Sequence, residues 1–133
     1  MRLFVDTSAW LALSDKGDQH HGDAQSRISR IKKERIEMIT SSYVFDEAVT
    51  IIRYRVSHAT AVTFGETLMG SSIVTVADIS DEDRFRAWAL FRKYGDKTLS
   101  FTDCTSFVLM KTFELQKAFA FDDHFKQVGF QLF

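Results

Sequence analysis

A chain of 133 residues with 45% apolar and 14% aromatic side chains has enough material for one core, which excludes a disordered tail and predicts a single domain over residues 1–133. With 17 basic against 18 acidic residues the formal charge is −1; a uniformly basic nucleic-acid binder is excluded, and any polyanion has to be met by a local patch. Cys104 is the one cysteine, which excludes an internal disulfide and a cysteine-rich zinc site, while the lack of an apolar run of about 18 residues or of a signal-like start predicts a cytoplasmic protein with no membrane contact.

The chain opens MRLFVDTSAW. Residues 2–6 read as a short buried strand, because the run is apolar rather than alternating, and a helix starts at Thr7 or Ser8 and carries Trp10, Leu11 and Leu13. A polar stretch over 15–23 holds His20 and His21. A charged helix follows, with Ile28, Ile31 and Arg35 on its inner edge. Residues 36–40 form the second strand, and Ser41 or Ser42 caps the next helix, on which Val44, Phe45, Ala48, Val49 and Ile52 share one face. Another helix spans about 58–69 and stops near Gly70; the β-branched run 73–79 is the third strand. Ser80 with Asp83 resembles a capping box and opens a helix with Phe85, Trp88 and Phe91 inward and Gly95 at its end. Residues 99–101 read as a very short strand or extended turn, and 102–116 as a helix with Phe107, Met110 and Phe113 spaced for packing. Residues 118–121 form a strand ending at Asp122, and 128–132 a small last strand.

Strands alternating with helices indicate an α/β fold around a mostly parallel sheet, and such sheets bind ligands beyond the carboxyl ends of their strands. Asp6, Asp103 and Asp122 each follow a strand-like run, and Glu47 lies in the first turns of the helix after the second strand. All four are therefore expected along one edge of the sheet. Taken singly, each aspartate is more readily a helix cap than a ligand: Asp6 as an N-cap, Asp103 as the acidic partner of a box begun by Ser100, Asp122 as the cap of a final turn. Glu47 is harder to place that way, since its helical neighbours Tyr43, Val44, Thr50 and Ile51 are mostly apolar or aromatic. Asp46 next to it faces Ser42, Thr50 and Arg53 and reads as solvated. Only the more distant Lys97 and Lys126 are available to neutralise the aspartates. Converging carboxylates about 5 Å apart repel by about 3 kcal/mol per pair, which a hard divalent cation offsets through oxygen ligands.

Four stretches, VDTSAW, the DEAV that follows SSYVF, SFTDCTSFVLM and AFAFDDHF, resemble in order the four motifs of PIN-domain ribonucleases. The short chain is similar to the VapC-type toxins of toxin–antitoxin pairs. The resemblance implies a PIN-like three-layer α/β fold, with a mostly parallel central sheet flanked by helices, and an acidic quartet at Asp6, Glu47, Asp103 and Asp122. The fourth position lies between Asp122 and Asp123; Asp122 directly follows the apolar run and precedes Phe125 by three residues. Thr7 and Ser8 match the hydroxyls that follow the family's first aspartate, as caps or as holders of water. The implied activity is hydrolysis of RNA phosphodiester bonds by a water activated by Mg²⁺ or Mn²⁺, with Asp6 and Asp103 as the main metal ligands and Glu47 and Asp122 holding a second metal or orienting its waters. A cognate antitoxin and a homodimer are the implied partners. Two alternatives stay open: a catalytically silent PIN-fold module that binds RNA or protein, and a housekeeping RNA-processing nuclease.

Other α/β families fit less well. Haloacid dehalogenase-like phosphatases need Asp-x-Asp after the first strand, where Ser8 stands, and receiver domains need a paired acid and a late lysine that are not evident. Cys104 reads as a small buried thiol. The basic stretches Arg27 to Arg35, Arg53 with Arg55, and Arg84 to Lys93 mostly solvate helix faces, with one set expected to flank the cleft and grip phosphates. Adjacent histidines point apart, so His20 and His21 do not form a zinc site. His124, near the expected cleft, reads as an ordinary surface histidine.

Overall fold

The computed structural model describes all 133 residues, with a pair of helices after each of the first three strands and a single short helix between the last two. The strands are β1 (Arg2–Val5), β2 (Glu37–Ser41), β3 (Val74–Ala77), β4 (Lys117–Phe119) and β5 (Gln131–Leu132). The helices are α1 (Thr7–Ser14), α2 (His21–Lys33), α3 (Ser42–Arg55), α4 (His58–Met69), α5 (Asp81–Lys93), α6 (Phe101–Thr112) and α7 (His124–Gln127). All strands are parallel, in the order β3-β2-β1-β4-β5, with Phe4 of β1 in register with Ile39 on one side and Ala118 on the other. Leu3, Phe4 and Val5 are consecutive and all buried; since neighbouring strand residues point to opposite faces, helices cover both faces of the sheet. The expected three-layer α/β architecture is what forms.

The chain steps outward from β1 to β2 to β3, then returns to lay β4 and β5 on the other side of β1. The order therefore reverses between β1 and β4, where an open parallel sheet leaves a crevice at its carboxyl edge. Aromatic packing fixes that region. Phe125 of α7 meets Phe107 of α6 edge-on at 5.3 Å and Phe4 of β1 at 6.1 Å, and all three rings are buried. On the other flank Ser41 accepts the Val44 N–H at 3.0 Å to cap α3, which buries Val44, Ala48 and Ile52 along one stripe. No helix is long and apolar enough to cross a membrane.

Several elements differ from the sequence expectation. Phe85, Trp88 and Phe91 do not point inward; they are 79%, 54% and 40% exposed. Helix α5 instead buries Ala87 and packs Leu90 and Tyr94 against the core; the small alanine lets it lie close on α6, and that contact sets its rotation. Residues 99–101 contain no strand, because Ser100 caps α6 and Phe101 is already helical. Arg35 is exposed beyond the end of α2 with φ +54°, and α6 stops at Thr112 rather than 116, with Glu114 at φ +56°. Both helices close with the same turn, Ile36 N–H donating to Ile31 C=O and Leu115 N–H to Met110 C=O. A left-handed residue is needed there, and neither position is the glycine that would announce it. The third, fourth and fifth strands are shorter than the runs that suggested them.

Candidate active site

Asp6 directly follows β1 and is the N-cap of α1. Its Oδ2 accepts the Ser8 N–H at 3.2 Å and the Ser8 hydroxyl at 2.8 Å. The same hydroxyl accepts the Phe121 N–H at 3.1 Å, so one serine ties the Asp6 carboxylate to the segment leaving β4, across the reversal. Asp103 is the third residue of α6 and closes a capping box: its Oδ2 accepts the Ser100 N–H and its own N–H donates to Ser100 Oγ, both at 3.0 Å. Asp122 follows β4 and accepts the His124 N–H at 3.1 Å. Glu47 is half-buried in α3, two turns in from its cap.

These four acids, from four separated parts of the chain, line one open cleft of about 690 Å³ together with Thr7, Lys97 and His124. For Asp6 and Asp103 the capping role and the convergence are therefore compatible, because the caps are what aim the carboxylates; Asp122 is not the cap expected of the last turn, since the N-cap of α7 is Asp123. Asp46 is exposed, as expected, and Asp123 is exposed and does not line the cleft.

The electrostatics are unfavourable as they stand. Asp6 and Asp103 are only 4% and 6% exposed. Burial, then the charge of Asp122 and that of Asp103, push the Asp6 carboxyl up to about 7 against the Ser8 hydrogen bonds. Burial also raises Asp103, opposed by the hydrogen bonds from Ser100 and the nearby His124 ring. His124 Nδ1 lies 2.8 Å from Asp103 and 3.6 Å from Asp122, but neither contact is aligned as a hydrogen bond. Thr7 Oγ1 is buried in the cleft wall and has no partner at all.

A hard divalent cation fits this donor set: carboxylate oxygens, an unpartnered hydroxyl, and no lysine or arginine paired to the four acids, with only the His124 ring beside two of them. No three acids, histidines or cysteines stand close enough together to form a closed metal shell.

Sequence reasoning set His124 near the cleft but read it as an ordinary surface histidine, and read Thr7 as a cap or a holder of water; both line the cleft. His124 reaches it because Asp122 accepts the His124 N–H and folds the Asp-Asp-His-Phe turn back on itself; the aspartate two residues before the histidine was the available signal. His21 instead binds the Ala12 carbonyl at 2.7 Å, and His20 stacks on Phe121 at 4.5 Å. Cys104 is buried, and burial followed by the Asp103 charge pushes its thiol up to about 11, which makes it a poor nucleophile. Many of the arginines are engaged locally: Arg27 with Asp23 and the main-chain oxygen of Phe133, Arg30 with Glu34, Arg84 with Asp81, Arg86 with Glu82.

The family profile of the PIN domain matches residues 3–131. The chain belongs to the PIN-domain family. A curated relative of this PIN domain, the 23S rRNA-specific endonuclease VapC20 of Mycobacterium tuberculosis, is 34% identical over 128 residues, spanning 96% of this chain and 95% of the relative. The crystal structure of VapC20, described as a sarcin–ricin loop cleaving toxin, superposes with a TM-score of 0.87 at 32% identity over 96% of this chain and 95% of that one. VapBC2 of Rickettsia felis, solved bound to a DNA fragment from its promoter, gives a TM-score of 0.74 at 12% identity over 100% and 98% of the two chains, a likeness of fold.

Proposed function

We propose that this VapC-like protein, a single PIN domain over residues 1–133, is a divalent-cation-dependent endoribonuclease and the toxin of a toxin–antitoxin pair, acting in the cytoplasm. The observation that carries the reading is the burial of Asp6 and Asp103 in one cleft with Asp122 and Glu47, where burial and then the charges of Asp122 and Asp103 push the Asp6 carboxyl up to about 7. The name of VapC20 supports a structured ribosomal RNA as substrate.

Asp6 and Asp103 would hold Mg²⁺ or Mn²⁺, with Glu47 and Asp122 holding a second ion or its waters. The ion would supply Lewis-acid stabilisation of the phosphate and acidify a water. The chain does the rest. Ser8 fixes which Asp6 oxygen faces inward, and Ser100 does the same for Asp103. Asp122 and Glu47, which line the same cleft, would accept hydrogen bonds from the attacking water and orient it towards phosphorus, and the unpartnered Thr7 Oγ1 would offer a further hydrogen bond. No side chain forms a covalent link, since Cys104 is buried behind Asp103. A silent binding module has no need of four acids that repel one another. A housekeeping nuclease would use the same site and differ only in its neighbours.

Purified protein is expected to cut RNA with Mg²⁺ or Mn²⁺ and not with EDTA, and Asp6→Asn to stay folded and lose that activity. Equal cleavage by both forms would expose a contaminating nuclease and sink the reading. The antitoxin that fits an acidic cleft carries a basic segment into it. The exposed aromatic face of α5 fits a second copy: packed antiparallel about a two-fold axis, the acidic first turn of one α5 (Asp81, Glu82) meets the basic last turn of the other (Arg92, Lys93).

A further inference from the structure

Among the residues lining the carboxylate cleft there is one basic side chain that carries a fixed charge, Lys97. A lysine beside four acids has a strong Coulomb reason to fold onto them. It does not. Its ammonium pairs with Asp96 at 3.0 Å and lies 5.2 Å from the centre of the Tyr94 ring. The backbone holds the same geometry: Lys97 N–H donates to the Tyr94 carbonyl at 3.1 Å, closing a tight turn at the end of α5. Three residues later Ser100 locks the segment to Asp103 through the capping box. Lys97 is thus carried on a short strap whose two ends are both fixed, at the rim of the cleft rather than in it, with its side chain 26% exposed.

An RNA phosphate brought to this cleft meets four carboxylates, and its charge grows on the oxygens as the bond to phosphorus breaks. A cation at the rim offsets that repulsion without neutralising the acids. Lysine suits the task as a compact point charge, whereas Arg27, Arg30, Arg84 and Arg86 are engaged by their own acids and do not line the cleft. We propose that Lys97 forms a phosphate subsite, its ammonium leaving Asp96 to bind a non-bridging oxygen of an RNA phosphate lying across the carboxylate cleft. The proposal rests on the ribonuclease reading and adds to it the residue that meets the substrate's backbone.

The test compares wild type, Lys97→Met, Lys97→Arg and Asp6→Asn on one RNA oligonucleotide with Mg²⁺. Lys97→Met is expected to lower kcat/KM by about tenfold to a hundredfold, the loss of one charged hydrogen bond, with Lys97→Arg recovering part of it. In the Asp6→Asn background, adding Lys97→Met makes the fall of RNA affinity with salt shallower by the share of one phosphate contact, about 0.7 in log–log slope for a single strand. Melting temperature hardly moves, since an exposed ion pair contributes little, and Mn²⁺ binds Lys97→Met no more weakly than wild type, which a collapsed cleft would not allow. Lys97→Met with wild-type kcat/KM and an unchanged salt slope overturns the subsite while leaving the nuclease standing. If wild type neither cuts nor binds the RNA, both readings fall.

Discussion

Asp6 caps a helix, accepts two hydrogen bonds from Ser8 and faces two other carboxylates. Its folded value of about 7 lies above the unfolded value of 3.8, so between these limits the metal-free folded state binds the extra proton and stability falls as pH rises. The stabilisation is complete below about 4 and lost by about 7. Thermal melts in EDTA at several pH values should show this decline, and Asp6→Asn should flatten it; Mg²⁺ should raise the wild-type melting temperature most above pH 7. Asp103→Asn is a less clean probe of the same repulsion, because Asp103 also closes the capping box of α6. At this scale the sequence was readable where chemistry and position coincided: an acid directly after an apolar run. His124 was only half readable: Asp122 two residues before it announces a turn, but not that the turn folds the ring into the cleft.

At the scale of elements, two helices carry the same device for different ends. Ser80 with Asp83 and Ser100 with Asp103 are both complete capping boxes, but only the second lines the cleft. Ser80→Ala and Ser100→Ala should each lose about 1 kcal/mol, seen as a drop of about 3–5 °C in melting temperature. RNA cleavage should fall in Ser100→Ala alone; equal loss in both variants would mean that Asp103 does not depend on its cap for aim. The boxes were legible, because their residue types and spacing carry the hydrogen bonds. The rotation of α5 was not. Phe85, Trp88 and Phe91 recur at helical spacing like an inward stripe, yet Ala87 decides the buried face because it allows the closer approach to α6. The ends of α2 and α6 were missed for a similar reason, as Arg35 and Glu114 take the left-handed turn usually given to glycine.

For the molecule as a whole, the order β3-β2-β1-β4-β5 turns four distant acids into neighbours. Alternating strands and helices implied a parallel sheet, but which strands flank β1 depends on long-range packing such as Phe4 and Phe107 against Phe125, which no local pattern records. The aromatic face left on α5 bears on assembly at the same scale. Sedimentation should find a dimer, and Phe85→Ser with Trp88→Ser, both exposed in one copy, should give a folded monomer; a wild-type monomer at high concentration would remove the second copy as the occupant. The most direct test of the shared site is the anomalous density of crystals soaked in Mn²⁺. The account predicts a peak between Asp6 and Asp103 that is absent from Asp6→Asn crystals. A cleft with no peak, or a peak bound only elsewhere on the surface, would contradict it.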